Sequence, residues 1–547
     1  MNELTADYVI VGAGTAGCVL AARLSENPAV SVLLVEAGAK DRHPFIHVPA
    51  GFLRLLEHPS ITWGSSTVPH ADTDGRDLIF PRGRGLGGSS SINGLLYVRP
   101  FPEDIDRWVA AGAAGWDFAS CLPYFSRSET WQDGSDPRRG DRGPIQVTRV
   151  GNPPQVCHTV VQAAQGAGYE FVDDPNAETS GPVVFYYQQT RHGRRRSSAA
   201  RGYLAPALAR RNLQVLTGME VSRVLLEQGR ATGVEVLRGD GAPVRLKAAR
   251  EVIVAAGVAG SPTLLERSGI GDADVLDNAG IRCRVRLPGV GRNLQDHYVA
   301  RVCFRLKGIA TANERSSGFG LLREIARYVT SGQGLLTYSA AIVGLYGQSQ
   351  YAQRPDIQFV IAPGSFRSGR IGELETEPGI SVGCWQMRPD SRGTVHITSA
   401  DPRAQPAIDP RYLSCERDRL TLVQGLRMTR DLFVQPGLRK YVVHETVPGV
   451  ASKTDADLLA YARANGGTVY HGAGTCRMGD DDGAVVDAQM RVYGVAGLRV
   501  IDASVMPTVT STNTNATVLM LAERAAEMIQ QPPQQAAAGV RRPTIAA

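Results

Sequence analysis

Three glycines and one acidic residue near the N-terminus have the spacing of a dinucleotide-binding turn. The glycines follow an apolar run at residues 8–11 in a G-x-G-x-x-G pattern, and they are Gly12, Gly14 and Gly17. In this pattern the first glycine allows a tight turn, the second lets a pyrophosphate approach the backbone, and the third lets a helix pack on the strand. The helix, predicted over residues 17–24, turns its N-terminus toward the anion, so Thr15 and Ala16 are candidate cofactor contacts.

The acidic residue completes this pattern. Glu36 ends a second apolar run, residues 32–35, and lies nineteen residues after Gly17. A carboxylate at this place accepts hydrogen bonds from an adenosine ribose. The sequence therefore predicts a bound dinucleotide, although these residues do not distinguish NAD from FAD.

A second candidate for chemistry lies in the last hundred residues. His471 stands among small residues in the segment T-V-Y-H-G-A-G-T, and Asn513 follows in T-N-T-N-A-T before an apolar-periodic helix predicted at residues 518–529. Proton transfer from an oxygen requires a base for the proton and a hydrogen-bond partner that holds the oxygen. A histidine with an ordinary pKa near ~6.5 suits the first role, and an amide suits the second.

A third candidate for ligand binding is a segment rich in glycine and serine, residues 82–100. Its small residues let the backbone approach a flat ligand and supply N–H groups to it. Asn93 can donate and accept hydrogen bonds at the edge of a ring. A flexible linker is the alternative, but flanking arginines and the apolar segment that follows favour a ligand-lining loop. Its candidate contacts are Arg84, Gly87, Gly88, Ser89, Asn93 and Gly94.

Composition limits the classes of protein that these sites can belong to. The chain has 547 residues, which is too many for one hydrophobic core, and length alone favours two to four domains. Its net charge of +6 is small and dispersed, and its eight cysteines have no spacing that suits zinc. No signal peptide or membrane-spanning run is recognisable. The sequence favours a cytoplasmic protein with reduced thiols and no metal, and it leaves peripheral membrane association open.

The motifs taken together resemble one family. The Gly12–Gly17 turn with Glu36, the segment at residues 85–100 and a second signature at residues 256–271 are similar to those of the glucose-methanol-choline (GMC) oxidoreductases. The resemblance extends from about residue 7 to residue 529, and Val258 departs from it where the family usually has a small residue. It implies FAD as the cofactor. It also implies an α/β fold, in which a Rossmann-like FAD-binding domain accompanies a substrate domain built on an antiparallel sheet.

The resemblance also implies a division of the chain. The FAD-binding domain is predicted as discontinuous, from residues 1–155, 200–297 and 455–530. The substrate domain is predicted from residues 156–199 and 298–454, with β-rich runs at residues 357–361, 380–385 and 393–397. Residues 531–547 lack a periodic apolar face and are predicted to be disordered.

By resemblance, His471 is the catalytic histidine and Asn513 its partner. Further cofactor contacts are implied near the adenine, the phosphates and the flavin ring, at Val221, Asp502, Ala503, Asn515 and Thr517. His297 is interpreted as structural because it is far in sequence from this motif. Cys476 is interpreted as a packing residue rather than a nucleophile.

The basic stretch at residues 191–201 invites a different interpretation, nucleic-acid binding. It lacks aromatic interleaving and a second basic cluster. The family has a Gly-x-Arg-x-Ser stretch here, matched by Gly193, Arg195 and Ser197. Nucleic acid is therefore not expected as a partner.

The function that the resemblance implies is oxidation of a primary alcohol to an aldehyde, with hydride transfer to flavin N5 and electrons passed to an external acceptor such as a quinone, a cytochrome or O₂. With Asn513 in place of a second histidine, a non-oxygen acceptor is favoured. Three alternatives stay open: an oxidase that makes peroxide, a redox-silent FAD-containing lyase of the same family, and an NAD-dependent dehydrogenase. Ile92 stands where some relatives have a histidine that binds FAD covalently, so non-covalent FAD is predicted. Substrate identity and oligomeric state are not predicted.

Overall fold

The computed structural model describes residues 4–177, 181–237, 243–367 and 373–531. It opens with the expected strand, helix and strand, Leu4–Val11, Thr15–Leu24 and Val32–Glu36. The helix begins two residues before the predicted start, because Gly14 is its extended N-cap and Thr15 is already helical. Nearly all of the tail predicted to be disordered, residues 532–547, lies outside the described residues.

A seven-stranded sheet contains this unit. From edge to edge its strands are Leu213–Thr217, Val32–Glu36, Leu4–Val11, Pro243–Val254, Arg230–Leu237 and Glu220–Glu227, with Leu498–Val500 beside the end of Pro243–Val254. The first four of these strands and Leu498–Val500 are mutually parallel. Val9 and Ile10 are fully buried, as expected for a parallel sheet covered on both faces. The Rossmann-like α/β arrangement predicted from the sequence is confirmed.

The two strands that follow residue 212 do not pair with each other. Leu213–Thr217 pairs in parallel with Val32–Glu36, whereas Glu220–Glu227 forms an antiparallel hairpin with Arg230–Leu237. Gln228 and Gly229 make the hairpin turn with positive φ angles of 48° and 76°. Such a two-residue turn matches the twist of antiparallel strands, and so it commits the second strand to the hairpin.

The predicted antiparallel sheet is present as an eight-stranded sheet. Its order is Val442–Val447, Tyr298–Leu306, Gly379–Gln386, Ile357–Ala362, Val343–Gly347, Val183–Tyr186 and Glu170–Phe171, with Gly467–Thr468 beside Tyr298–Leu306. The run at residues 393–397 is not part of it. Its strand, Gly393–His396, instead pairs between Arg292–Leu294 and Ala407–Asp409.

Two smaller sheets complete the strand structure of the described residues. One contains Leu96–Tyr97, Gln188–His192, Ile145–Arg149, Glu129–Trp131 and Arg195–Arg196, and the other pairs Ile270–Gly271 with Val285–Arg286. The first of them joins strands that were predicted to lie in different domains. The division of the chain at residues 155, 199, 297 and 454 stays a prediction.

Helices cover both large sheets. The longer ones are Pro102–Ala110, Phe118–Ser128, Gln155–Gly166, Gly257–Arg267, Gly318–Ser331, Glu416–Phe433, Asp455–Asn465 and Asn515–Gln530, and the short ones are Pro44–His47, Ala205–Ala207, Ala273–Asn278 and Pro436–Arg439. Helix Asn515–Gln530 packs on Thr15–Leu24, where Arg23 Nη2 lies 2.8 Å from Glu523 Oε1. Within the described residues, no helix combines the length and apolar character needed to cross a bilayer.

Candidate active site

The glycine turn has the geometry that its sequence predicts. Gly12 has a φ of 96°, and a Cβ on Gly17 would lie 1.9 Å from the Gly12 carbonyl oxygen, so neither position accepts a larger residue. A Cβ on Gly14 would meet only the Ala255 carbonyl oxygen, at 3.9 Å. Space therefore opens in front of Gly14, next to the N-terminus of the helix.

The carboxylate of Glu36 connects three backbone segments. It accepts hydrogen bonds from the N–H groups of Ala13 at 2.8 Å, Gly38 at 2.8 Å and Gly85 at 2.9 Å. Burial raises the pKa of Glu36, and the three N–H groups and nearby Arg84 oppose that rise. The predicted ribose contact is not tested by this geometry. These contacts show that Glu36 also holds the glycine–serine loop (residues 82–94) against the glycine turn.

The glycine–serine loop lies directly over the N-terminus of the first helix. Gly87 N donates to Ala13 O at 2.8 Å, and a Cβ on Gly88 would lie 2.7 Å from Gly14 Cα. Ser89 Oγ accepts from Gly83 N within the loop, and Gly94 O accepts from Ala340 N at 3.0 Å. Predicted contacts from two separate motifs are thus brought together. Arg84 stacks on Trp63, with its guanidinium carbon 5.1 Å from the ring centre.

A buried arginine that the sequence analysis did not single out supports this loop. Arg196 donates to Asn93 Oδ1 at 2.6 Å, to Ser90 O at 3.3 Å and to Ile46 O at 2.9 Å. Burial lowers its pKa to about 9, so it still carries a charge at neutral pH. Arg195, the arginine that matched the family pattern, is exposed. Strand alternation places only one of two neighbouring residues on the inner face, and the pattern alone did not decide which.

The C-terminal candidates lie beside the glycine turn. Asn515 Oδ1 accepts from Thr15 Oγ1 at 3.1 Å, which brings the N-termini of two helices together. Asp502 accepts from Gly257 N at 2.8 Å and Ser261 Oγ at 2.5 Å, and so it caps the helix of the second signature. Ala503 O accepts from Gly474 N, three residues after His471.

The predicted adenine contact, Val221, lies at the start of strand Glu220–Glu227. Val221 is in the strand that follows Gly218 and Met219, whose N–H groups bond to the carbonyls of Gly38 and Glu36 at 2.9 and 3.0 Å. The start of the strand is thereby held at the end of Val32–Glu36. The adenine contact itself stays a prediction.

These residues fit a bound dinucleotide. The helices Thr15–Leu24 and Asn515–Gln530 have no side-chain cap at their N-termini, so their first N–H groups are available to an anion. Thr517 Oγ1 is fully buried in the second of these helices and has no hydrogen-bond partner in the described structure. An unpartnered buried hydroxyl beside a helix N-terminus is a suitable donor for a polar ligand.

His471 and Asn513 are in direct contact, as predicted partners should be. Asn513 Nδ2 lies 2.9 Å from His471 Nε2. The eight-stranded sheet also contacts His471. The ring centre of Trp385, in strand Gly379–Gln386, lies 5.9 Å from the ring centre of His471.

The second histidine, His297, is also part of this cluster. His297 Nδ1 lies 2.9 Å from His471 Nδ1, and His297 Nε2 lies 2.9 Å from the Met387 carbonyl oxygen. His297 is fully buried. His297, interpreted from the sequence as structural, thus contacts the candidate base directly although it is far from it in sequence.

Strand pairing brings the two histidines together. Tyr298 pairs with Thr468, and Gln295 exchanges backbone hydrogen bonds with Ala473 on either side of a bulge. Tyr470, in the bulge, has a φ of 72°, a left-handed conformation that is unusual for a tyrosine. Asp296 Oδ1 fills the bulge and accepts from His471 N at 2.8 Å.

The hydrogen bonds determine the proton positions on both rings. The Met387 carbonyl can only accept, so His297 Nε2 carries a proton. Burial lowers the pKa of His297, which keeps the ring neutral and leaves Nδ1 as an acceptor. His471 Nδ1 therefore carries the proton of the shared bond, and His471 Nε2 presents its lone pair to Asn513. Burial, His297 and Arg82 together hold the pKa of His471 well below its usual value.

The amide of Asn513 is oriented from its other end. Gln358 Nε2 lies 3.3 Å from Asn513 Oδ1 and also donates to Tyr187 Oη at 2.8 Å. The Asn513 carbonyl thus faces Gln358, and its NH₂ group faces His471. Gln358 lies in a β-rich run that the sequence analysis recognised without naming any site residue there, since substrate-domain sequences carry no fixed motif.

Other side chains have structural roles in this region. Cys476 is fully buried, and burial holds the pKa of its thiol well above the usual value. All eight cysteines are free thiols. Ile92 packs into a small apolar cluster with Ile46, Leu55 and Ile61.

Comparison with known proteins defines the class of this chain. Residues 6–299 and 389–522 match the two domains of the family described as GMC oxidoreductase. The protein is an FAD-dependent oxidoreductase that acts on CH–OH groups. It belongs to the GMC oxidoreductase family, and the family, fold class and FAD cofactor predicted from the sequence are confirmed.

Three known proteins are similar to this chain over most of their length. The chain is 39% identical to an oxygen-dependent choline dehydrogenase of Vibrio vulnificus, over 97% of this chain and 96% of the relative. It is 40% identical to the human mitochondrial choline dehydrogenase, over 96% and 90% of the two chains. A crystal structure of pyridoxine 4-oxidase from Mesorbium loti matches with a TM-score of 0.86 and 31% identity, over 95% and 98%.

Proposed function

We propose that this enzyme oxidises an uncharged primary alcohol to an aldehyde, with His471 as the base that accepts the hydroxyl proton. The observation that supports this most directly is the set of contacts from the Met387 carbonyl through His297 and His471 to Asn513, from which we infer that His471 Nε2 presents a lone pair to the Asn513 amide. An alcohol oxygen that replaces this direct contact would accept a hydrogen bond from Asn513 Nδ2 and give its proton to His471 Nε2.

FAD would be held non-covalently by the residues around the glycine turn and the two helix N-termini. The pyrophosphate would lie against Gly14, Thr15 and Ala16, and the ribose near Glu36. The flavin would lie between the glycine–serine loop and the first turn of Asn515–Gln530. When bound there, FAD supplies the hydride acceptor that alcohol oxidation requires.

His297 acts as a positioning residue in this proposal. It holds the proton of His471 on Nδ1, which leaves Nε2 free to act as the base. Asp296 holds the His471 backbone, and its second oxygen accepts from Tyr412 Oη at 2.6 Å and Thr468 Oγ1 at 2.5 Å. Because these contacts come before any substrate binds, the base is preorganised.

An uncharged substrate is favoured by the charges around His471. Of the two ionisable groups that lower the pKa of His471, His297 is neutral and Arg82 is a cation, so Arg82 disfavours a further positive charge there. The neighbouring carboxylates are already engaged: Asp296 by four hydrogen bonds, and Asp104 by Arg388, Phe101 N and Ser511 N. Both carboxylates are buried among these partners, so neither is available for direct contact with a trimethylammonium group.

The electron acceptor in this proposal is a molecule other than O₂. Reaction of reduced flavin with oxygen is assisted by a positive charge near the ring. The lowered pKa values of His297 and His471 keep both rings neutral at working pH, so neither supplies that charge. An oxidase is the second candidate, because the guanidinium of Arg82 lies close enough to His471 to lower its pKa.

The test separates these functions in one experiment. The enzyme is mixed anaerobically with a primary alcohol and then with air-saturated buffer. Flavin bleaching by the alcohol is expected, followed by slow reoxidation that phenazine or quinone dyes accelerate. Fast reoxidation with stoichiometric peroxide would identify an oxidase. Absence of bleaching with a broad alcohol panel would favour the redox-silent lyase.

A further inference from the structure

One surface helix has its apolar face turned outward. In Gly318–Ser331 the side chains of Phe319, Leu322, Ile325 and Val329 are 84%, 63%, 42% and 57% exposed. Their spacing of three or four residues places them on one side of the helix. A surface helix of a globular protein normally turns such a stripe toward the core. This helix, called the exposed helix below, does the opposite.

Polar contacts hold the opposite side of the exposed helix against the protein. Glu324 is buried, pairs with Arg315 and accepts from Leu335 N at 2.7 Å. Tyr328 Oη donates to the Arg194 carbonyl at 2.8 Å. The inward face is therefore fixed by hydrogen bonds and an ion pair. The outward orientation of the apolar face is a consequence of these contacts.

Positive charges border the apolar face. Arg323 and Arg327 are exposed, and their spacing of four and eight residues from Phe319 places them along one edge of the apolar face. At the C-terminal end, Arg194 donates to Val329 O at 2.7 Å, and the next residue, Arg195, is also exposed. Glu324 is the only acidic residue in the sequence of the helix and is paired with Arg315. Glu314 precedes the helix and hydrogen-bonds to Thr311.

We propose that the exposed helix docks this enzyme on the surface of a membrane that contains anionic lipids. An apolar stripe bordered by arginines is the arrangement of an interfacial helix, whose apolar side chains enter the acyl boundary while the guanidinium groups reach lipid phosphates. Pairing with a second copy of the chain would instead bring the arginines of both copies together. Charge therefore favours anionic lipid over self-association.

The exposed helix is followed in sequence by a segment that contacts the candidate active site. Gly332 and Gly334 follow the helix with φ angles of 66° and 93°, and the segment then reaches Ala340, which donates to Gly94 of the glycine–serine loop. Docking would hold this side of the enzyme near the bilayer. The proposal does not rest on which molecule accepts the electrons.

The test is co-sedimentation of the FAD-loaded enzyme with vesicles. Binding to mixed phosphatidylcholine and phosphatidylglycerol vesicles is expected, with weak binding to phosphatidylcholine alone and release by salt. Replacing Arg323 and Arg327 together by Gln should lower partitioning about 30-fold, since each basic residue near such a surface contributes about 1 kcal/mol. Phe319→Ser with Val329→Ser should abolish binding.

Matched controls carry equal changes elsewhere on the surface. Arg142→Gln with Arg417→Gln removes two exposed charges, and Val434→Ser with Val450→Ser removes two exposed apolar side chains. Both pairs should bind vesicles as the parent does. Wild-type enzyme that stays in the supernatant, or helix variants that bind like the controls, would overturn the proposal. A dimer that dissociates on Phe319→Ser, without vesicle binding, would assign the face to self-association.

Discussion

His297 and His471 face each other through their Nδ1 atoms at 2.9 Å, with ring planes 85° apart. Only one of two facing nitrogens can carry the shared proton. The Met387 carbonyl, on the far side of His297, decides which one it is. A backbone oxygen that hydrogen-bonds to His297 thus selects the tautomer of the candidate base, His471.

Replacing the base is the most direct prediction. His471→Ala should keep FAD bound and slow flavin reduction by alcohol about 10²- to 10⁴-fold, the usual contribution of general-base catalysis. Stopped-flow absorbance measures the rate, and flavin content is measured on the same sample. His444→Ala, at an exposed position, is the control. Reduction at the parent rate would show that another group accepts the proton.

Replacing His297 tests its positioning role. His297→Ala leaves the Nδ1–H of His471 without an acceptor, and an unpaired buried donor costs about 1–3 kcal/mol. Flavin reduction should slow by the corresponding factor, about 5- to 150-fold, with FAD content unchanged.

The conservative variant separates positioning from a packing role. His297→Asn places an acceptor oxygen near the position of Nδ1 and should recover most of the rate. Equal rates for the Ala and Asn variants would mean that the imidazole of His297 contributes only by packing.

Acid stability should depend on the two buried histidines. Unfolding returns each histidine to an ordinary pKa near ~6.5, whereas the native values are lower. Below about pH 6.5 the unfolded chain therefore binds more protons than the native one, and the free energy of unfolding falls as the pH falls toward the native pKa values. The slope should approach about 1.4 kcal/mol per pH unit for each histidine.

Urea unfolding at a series of pH values measures this slope. His297→Asn should lose about half of the histidine contribution, because one of the two groups is gone. His444→Asn, at an exposed position, is the control. A His297→Asn protein with the parent slope would mean that His297 titrates normally in the folded enzyme.

Substrate charge can be tested with two alcohols of nearly the same shape. In the carbon analogue of choline, a tert-butyl group replaces the trimethylammonium group. The kcat/KM for this uncharged alcohol should exceed that for choline about tenfold or more, because burying a cation without a counter-charge is costly. Assays with a phenazine dye give both values. Equal or better use of choline would contradict the charge argument and align the enzyme with its choline dehydrogenase relatives.

The attachment of FAD can be tested by acid precipitation. Ile92 packs into an apolar cluster and has no group that can bond to the flavin. The yellow colour should stay in the supernatant after precipitation. A coloured pellet would show that another side chain forms a covalent bond.

The sequence was sufficient for elements whose geometry depends on nearby residues. The glycine turn, Glu36 and the strands beside them follow from spacing and apolar periodicity, which are local. The His471–Asn513 pair was predicted from motifs that the family retains. Placing His297 required knowledge that residues 295–299 pair with residues 467–473, a contact between segments about 170 residues apart. Gln358 was missed for a similar reason, because its role depends on the register of the antiparallel sheet.

The hydrogen bond that the Met387 carbonyl accepts and the one that Gln358 donates have a consequence for how the activity of this enzyme can change. Both residues belong to the part of the chain that is expected to shape the substrate pocket, yet they set the tautomer of His471 and the orientation of Asn513. A mutation that reshapes the pocket by shifting Met387 or Gln358 would also alter the base. Mutations that change the substrate selectivity of this enzyme should therefore also change its turnover rate. A redesign of one property should measure the other.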